Sequence, residues 1–269
     1  MSERYWQRPV PRAAALLAVA AAGAALTGCG SSAGNGAAGN GAAGGNAAGG
    51  SAAGSTSAGP TSSAGVAAAN MPGGYSGVRL RSSQLRSALL TKVNGVRPAA
   101  PDEEGAYGTL PDVRTSKASM AGVTVTPAKC AQASATGFDS GTFAGSPGAV
   151  TTFRVGRDGV SEVLVGATPA TAARALDTKL PAGCAHYRAT VQGKTFSYAI
   201  KEAPVTGIAE QARALNVKAV GYADVDVWSV VFRAANFVGA VTIVGPDASE
   251  QGAKVLAKDA YQRAAGSLN

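Results

Sequence analysis

Val225-Asp226-Val227-Trp228-Ser229-Val230-Val231-Phe232-Arg233-Ala234, then Ala235-Asn236, then Phe237-Val238-Gly239-Ala240-Val241-Thr242-Ile243-Val244 is the stretch whose reading decides the fold. A strand with one wet face alternates apolar and polar residues. Both arms here are apolar at nearly every position, as strands buried on both faces are. Ala235-Asn236 reads as the hairpin turn, with Asn tolerating positive φ. Trp228 and Phe232 fall on one face of the first arm, where core packing explains them. The pair therefore predicts a central hairpin covered on both sides.

Moving outward, the period elsewhere is a plain two. Ala149 to Val155 and Val160 to Val165 flank Gly156-Arg157-Asp158-Gly159, a hairpin signal. In Ala185 to Val191, Tyr187, Ala189 and Val191 share one face and His186, Arg188 and Thr190 the other, which should be wet. After Gly193-Lys194, Phe196, Tyr198 and Ile200 alternate with Thr195, Ser197 and Ala199. Helical spacing marks Leu85, Ala88, Leu89 and Lys92 behind Ser82 and Ser83. Thr126-Pro127 and Thr168-Pro169 read as caps with proline at the first helical position. Asp247, with Glu250 three residues on, reads as the cap of a last helix. Its stripe is Ala253, Leu256, Ala257, Ala260, Tyr261 and Ala264, and it should cover the central hairpin. Gly95 to Pro111 reads as a loop. Gly207 to Val220 reads as a surface helix in preference to a lid. Hairpins with helices on their faces make an α+β domain, an antiparallel sheet flanked by helices, over residues 75–269.

Ahead of that domain the composition changes. Glycine numbers 36 in 269 residues and charged residues are only 15%, so an unstructured tract dilutes the folded part. Gly30 to Asn70 is almost all Gly, Ala, Ser, Asn and Thr, with nothing to bury. Residues 29–74 are expected to act as a tether with a reach of about 35 Å. Gly34 to Gly39 fits G-x-G-x-x-G, and Gly30 to Gly34 fits G-x-S-x-G. Neither follows a strand or opens a helix, so both are accidents of composition.

The first 28 residues have an address pattern. Arg4, Arg8 and Arg12 precede an apolar run from Ala13 to Leu26, and then comes Leu26-Thr27-Gly28-Cys29. A basic segment, a short apolar segment and small residues before a break form a secretory signal. The cysteine behind them resembles the bacterial lipobox, which implies cleavage after Gly28 and diacylation of Cys29. Two acyl chains anchor stably where one is marginal. The expected location is the outer face of the cell membrane, held there by lipidated Cys29.

Cleavage would remove three Arg and one Glu, taking the net charge from +8 to +6. With no run of five Lys/Arg, the chain gives no reason to expect nucleic acid as a partner. A mildly basic surface suits anionic lipid head groups or acidic wall polymers, and equally plain solubility. Cys130 and Cys184 remain as an even pair in an oxidising compartment, which reads as one disulfide. Two unrelated buried thiols are the alternative.

A lipobox, a low-complexity tether, Cys184-Ala185-His186-Tyr187 opening a hairpin, and Val230-Val231-Phe232-Arg233-Ala234-Ala235-Asn236 before an alanine-rich helix together resemble actinobacterial envelope lipoproteins. They are similar to the extracellular sensor domain of mycobacterial PknH-type Ser/Thr kinases. The resemblance spans Leu85 to Leu268. It implies an antiparallel sheet flanked by helices, a cleft for an unidentified ligand, and no enzymatic activity. That sensor domain carries a second disulfide, for which this chain has no cysteines. Photosystem-assembly-like mycobacterial lipoproteins layer helices on a sheet in a similar way.

Enzymatic signals are sparse. His186 is the single histidine, so any Ser-His or Cys-His chemistry would have to use it. Asp224 and Asp226 point the same way from a strand, and Asp102, Glu103 and Glu104 cluster in a loop. Solvation explains both groups more simply than acid–base work or cation binding. No catalytic, cofactor or metal residues are assigned. Tyr187, Tyr198 and Tyr222, amphipathic and fit for a pocket mouth, and Arg233, fit for an anionic ligand or a helix carboxylate, are the candidate ligand-binding residues. The sequence thus points to a lipid-anchored binding or sensory domain taking a small molecule, lipid or wall component. A scaffolding lipoprotein that binds a protein or wall polymer is the first alternative, and a hydrolase with an unconventional site the second.

Overall fold

The computed structural model describes residues 79–133, 138, 140–220 and 225–268. Cys29, Tyr222, Asp224 and the segments read as signal and tether lie outside the described residues. Helix α1 (Ser82–Ala88) leads into β1 (Glu103–Ala106), a 3-10 turn (Tyr107–Thr109) and α2 (Pro111–Met120). Next come β2 (Thr124–Thr126), a second 3-10 turn (Ala128–Gln132) and the short α3 (Ser140–Phe143). A hairpin of β3 (Pro147–Val155) and β4 (Asp158–Gly166) precedes α4 (Pro169–Leu176). Five strands follow: β5 (His186–Val191), β6 (Lys194–Ala203), β7 (Gln211–Val220), β8 (Asp226–Arg233) and β9 (Phe237–Gly245). Helix α5 (Glu250–Leu268) ends the chain.

The strands form one nine-stranded antiparallel sheet in the order β1-β3-β4-β9-β8-β7-β6-β5-β2. The quoted hairpin, β8 with β9, sits near its centre and is buried on both faces. Trp228, Val230 and Phe232 point to the face that carries α1 and α5. Val231 and Val238 point to the other face, where α2 and α4 pack through Val113, Ala172 and Leu176. α5 approaches the sheet closely because Ala253, Ala257, Ala260 and Ala264 line its inner side, each with no exposed surface. Gly239 makes the same allowance on β9: a methyl there would stand on the Phe232 ring and Leu164.

Several local expectations are revised. Gly95–Pro111 is not all loop, because Glu103–Ala106 pairs with β3 as an edge strand. Residues 211–220 form β7 and neither a helix nor a lid. Their Ala, Gln, Arg and Leu content favours a helix locally, but a place between β6 and β8 supplies ladder bonds on both sides. Asn236 does not take positive φ. Among the described non-glycine residues Asn94 and Gln192 do, and Gln192 with Gly193 forms the β5–β6 turn. Thr168 caps α4 as read, its hydroxyl accepting the Thr171 N–H at 3.2 Å. Pro127 precedes a 3-10 turn instead of an α-helix. α5 is capped by Ser249, whose Oγ accepts the Gly252 N–H at 3.1 Å. Asp247 instead meets Arg157 at 3.0 Å.

Candidate functional site

The two faces of the sheet are covered unequally. The face below α2 and α4 is apolar from β3 across to β5, and its far half is closed by the 3-10 turn at residues 128–132. There Cys130 and Cys184 form a disulfide with Cα atoms 5.4 Å apart. Beneath it lie Tyr187, Ala189, Phe196, Tyr198 and Leu215, all buried. On the opposite face α1 and α5 cover β3, β4, β9 and β8 and reach as far as Ala214 of β7 and Ala203 of β6, both buried in the same cluster. The open half of this face runs from Lys218 of β7 and Lys201 of β6 across β5 to β2 among the described residues.

Register fixes what that open half displays. Arg188 stands opposite Ser197, and Ser197 opposite Val220. One row on, His186 faces Ala199, which faces Lys218, which faces Asp226. The next row sets Lys201 against Asn216 and Asn216 against Trp228. Thr124 and Thr126 continue the surface on β2. His186, Arg188, Ser197, Lys201 and Lys218 are exposed, while Ala199 between them is half-buried. Thr190 and Thr195 join through their hydroxyls at 2.9 Å. The predicted wet side of β5 is therefore wet.

α5 forms one border of this surface. Lys218 Nζ lies 3.2 Å from Asp226 Oδ2, and Lys254 Nζ lies 2.7 Å from Glu250 Oε1. The Lys254 hydrogen bond holds the Glu250 carboxyl below the usual carboxylate range, with Lys201 adding to the effect. These pairs are reached by solvent on at least one side and contribute little to stability. They matter for the field: Arg188, Lys201, Lys218 and Lys254 outnumber Asp226 and Glu250.

A second polar group lies under the covered half. Glu162 is fully buried on β4, on the face with Val160 and Leu164. Its Oε2 accepts the Leu90 N–H at 2.7 Å. Thr151 is its cross-strand neighbour on β3. Continuing the β1–β3 register by one residue sets Asp102 beside Thr151. Glu162 Oε1, Thr151 Oγ1 and Asp102 Oδ1 are all buried without a hydrogen-bond partner. Burial pushes the Glu162 carboxyl up to about 8, with Asp102 adding to the rise and the Leu90 N–H and Arg263 opposing it.

The candidates from the sequence are placed as follows. Tyr187 and Tyr198 stack with ring centroids 5.2 Å apart. Both are buried on the disulfide side of the sheet, facing away from the open half. Burial raises the Tyr198 phenol above its ordinary value. Arg233 meets a carboxylate, that of Glu210 at 2.9 Å, and donates to Gln211 Oε1 at 2.9 Å. Glu103 receives the Asp112 N–H at the start of α2. Lys201 and Lys218 were missed because the helical reading of 211–220 hid the strand that brings them together. Glu162 had a legible signal, since Val160, Glu162 and Leu164 share one face of an apolar run.

No family model and no curated protein matches the chain. Solved structures similar to it include two from mycobacteria. One is the extracellular domain of PknH from Mycobacterium tuberculosis, at 16% identity and a TM-score of 0.49, covering 71% of this chain and 99% of that one. The other is a putative uncharacterized protein from Mycobacterium smegmatis, at 18% identity and a TM-score of 0.38, covering 54% of this chain and 77% of that one. The first is the kind of domain that the sequence pattern resembles. No helix among the described residues is long and apolar enough to cross a membrane.

Proposed function

We propose that this chain is an exported, lipid-anchored, non-enzymatic binding or sensory domain, and that its ligand meets the open half of the sheet. The observation that carries the reading is the unequal covering. Among the described residues the rest of the sheet is closed by helices or by the disulfide-linked segment, and this part presents exposed cations around a small residue. The signal pattern and Cys29 supply the export and anchoring. The Cys130–Cys184 bond accords with an oxidising compartment. The non-catalytic part rests on His186. This single histidine stands exposed, beside Ala199 and Arg188, without a carboxylate to orient it among the described residues.

Native mass spectrometry of the full chain taken from its own envelope tests the reading. A co-purifying small molecule or polymer fragment, lost when Lys201 and Lys218 are both changed to Gln, is the expected result. A stoichiometric protein subunit would favour the scaffolding alternative. A chain that carries nothing and turns over an ester or glycoside substrate would overturn the proposal.

A further inference from the structure

We infer that the open half-face is a binding site for a phosphate-bearing polyol or sugar polymer, with its first anion seated over Ala199. The inference rests on the reading that this half-face is the working surface, and it adds the chemistry of the occupant.

The floor is set by register. On β6, Ala199 has Ser197 and Lys201 as its same-face neighbours along the strand. Across the strands it has His186 on one side and Lys218 on the other, each about 4.8 Å away in the hydrogen-bonding direction. Arg188 stands next to His186, opposite Ser197. A methyl group ringed by long side chains leaves a shallow basin. Its rim carries an imidazole, the ammonium groups of Lys201 and of Lys218, the latter paired with Asp226 at 3.2 Å, and, beyond Ser197, a guanidinium. Such a rim matches the oxygens of an anion: the guanidinium offers a planar fork of donors and the ammonium groups act as point charges.

Spread decides between one anion and several. Arg188 lies on β5 and Lys218 on β7, two strand spacings or about 10 Å apart. Lys254, paired with Glu250 at 2.7 Å, continues the charged row onto α5. A single phosphate cannot reach all of them, whereas a chain with repeating phosphates can. Hydroxyls distinguish such a chain from a bilayer. Thr124, Thr126, Thr190, Thr195 and Ser197 continue the same face, offering partners to the hydroxyls between successive phosphates. A bilayer-binding face would carry apolar side chains able to insert. Val220, 52% exposed, is the one large exposed apolar residue on this face among the described residues.

The test uses the full chain in neutral detergent micelles, with a synthetic glycerol-phosphate oligomer as probe in isothermal titration calorimetry. The oligomer should bind more tightly than inorganic phosphate, and added salt should weaken it. Arg188→Gln with Lys201→Gln should weaken it at least about tenfold. Arg114→Gln, an exposed cation on α2, should leave it unchanged. The altered residues are exposed, so a melting temperature equal to the parent's verifies the fold. Absence of oligomer binding at low salt, or binding indifferent to the double substitution, would overturn the inference. So would displacement of the oligomer by phosphatidylglycerol doped into the micelles, which would make the surface a membrane face. Loss of the phosphate chemistry alone leaves the working surface standing, because occupancy of that surface in the envelope is measured separately by lysine labelling.

Discussion

Glu162 and Leu90 are joined across 72 residues of sequence: the Glu162 carboxylate, fully buried on β4, accepts the Leu90 backbone N–H at 2.7 Å. Arg263 of α5 donates to the carbonyls of Leu89 and Ser87 beside it. One buried carboxyl therefore sits where the sheet, the end of α1 and the last helix meet.

That position makes stability depend on pH. The folded-state value of Glu162 is about 8, against an ordinary 4.5. The folded state thus binds the proton more tightly, and stability falls as pH rises through that interval. The melting temperature should drop by several degrees between pH 5 and pH 9. Glu162→Gln, which keeps the shape without the charge, should flatten the profile. An equal slope in parent and variant would assign the pH dependence to other groups.

The disulfide should act mainly through the unfolded chain. Cys130 and Cys184 are 54 residues apart, and their link closes the segment over Tyr187 and Tyr198. Cys130→Ser should cost about 2–4 kcal/mol. It should appear as a lower melting temperature, with no free thiol titratable in the unfolded parent apart from any unmodified Cys29. A thiol count of two from these positions would contradict the bond.

Close packing at the centre has its own test. A Cβ at Gly239 would meet the Phe232 ring, which is fully buried and wedged edge-on against Tyr261 with centroids 6.0 Å apart. With no room for the ring to yield, Gly239→Ala should destabilise the domain by roughly 1–3 kcal/mol, read from urea midpoints. A neutral effect would mean that the β9–α5 layer is looser than described.

Anchoring is separable from folding. Cys29→Ala should move the chain from the detergent phase to the aqueous phase on phase partitioning, while the melting temperature of the domain stays the same. An unchanged partition would remove the lipoprotein reading.

Much of this architecture is legible in residue patterns, and its failures have physical causes. The β8–β9 hairpin declares itself because burial on both faces leaves no alternation to interpret. Trp228 is 9% exposed, as that reading requires. β5 and β6 alternate because one side faces water. β7 is opaque because Ala212, Ala214 and Leu215 satisfy a helix as well as a strand, and only the neighbouring strands decide between them. β1 and β2 are too short for periodicity to register. The open surface is hidden by that one misreading: with residues 211–220 helical, Lys218 has no reason to stand beside Ala199 and Lys201. Tyr187 and Tyr198, chosen for a pocket mouth, lie instead in the core below the disulfide, because the period of two fixes which residues share a face but not which face is covered.

Lysine acetylation of the full chain in its own membranes, compared with the chain purified in detergent, tests the central claim most directly. If the open half of the sheet is the working surface, Lys201 and Lys218 are protected in the envelope and become reactive on purification, while Lys92 and Lys117, exposed on other elements, react equally in both. Equal reactivity of all four lysines in both preparations would contradict the account.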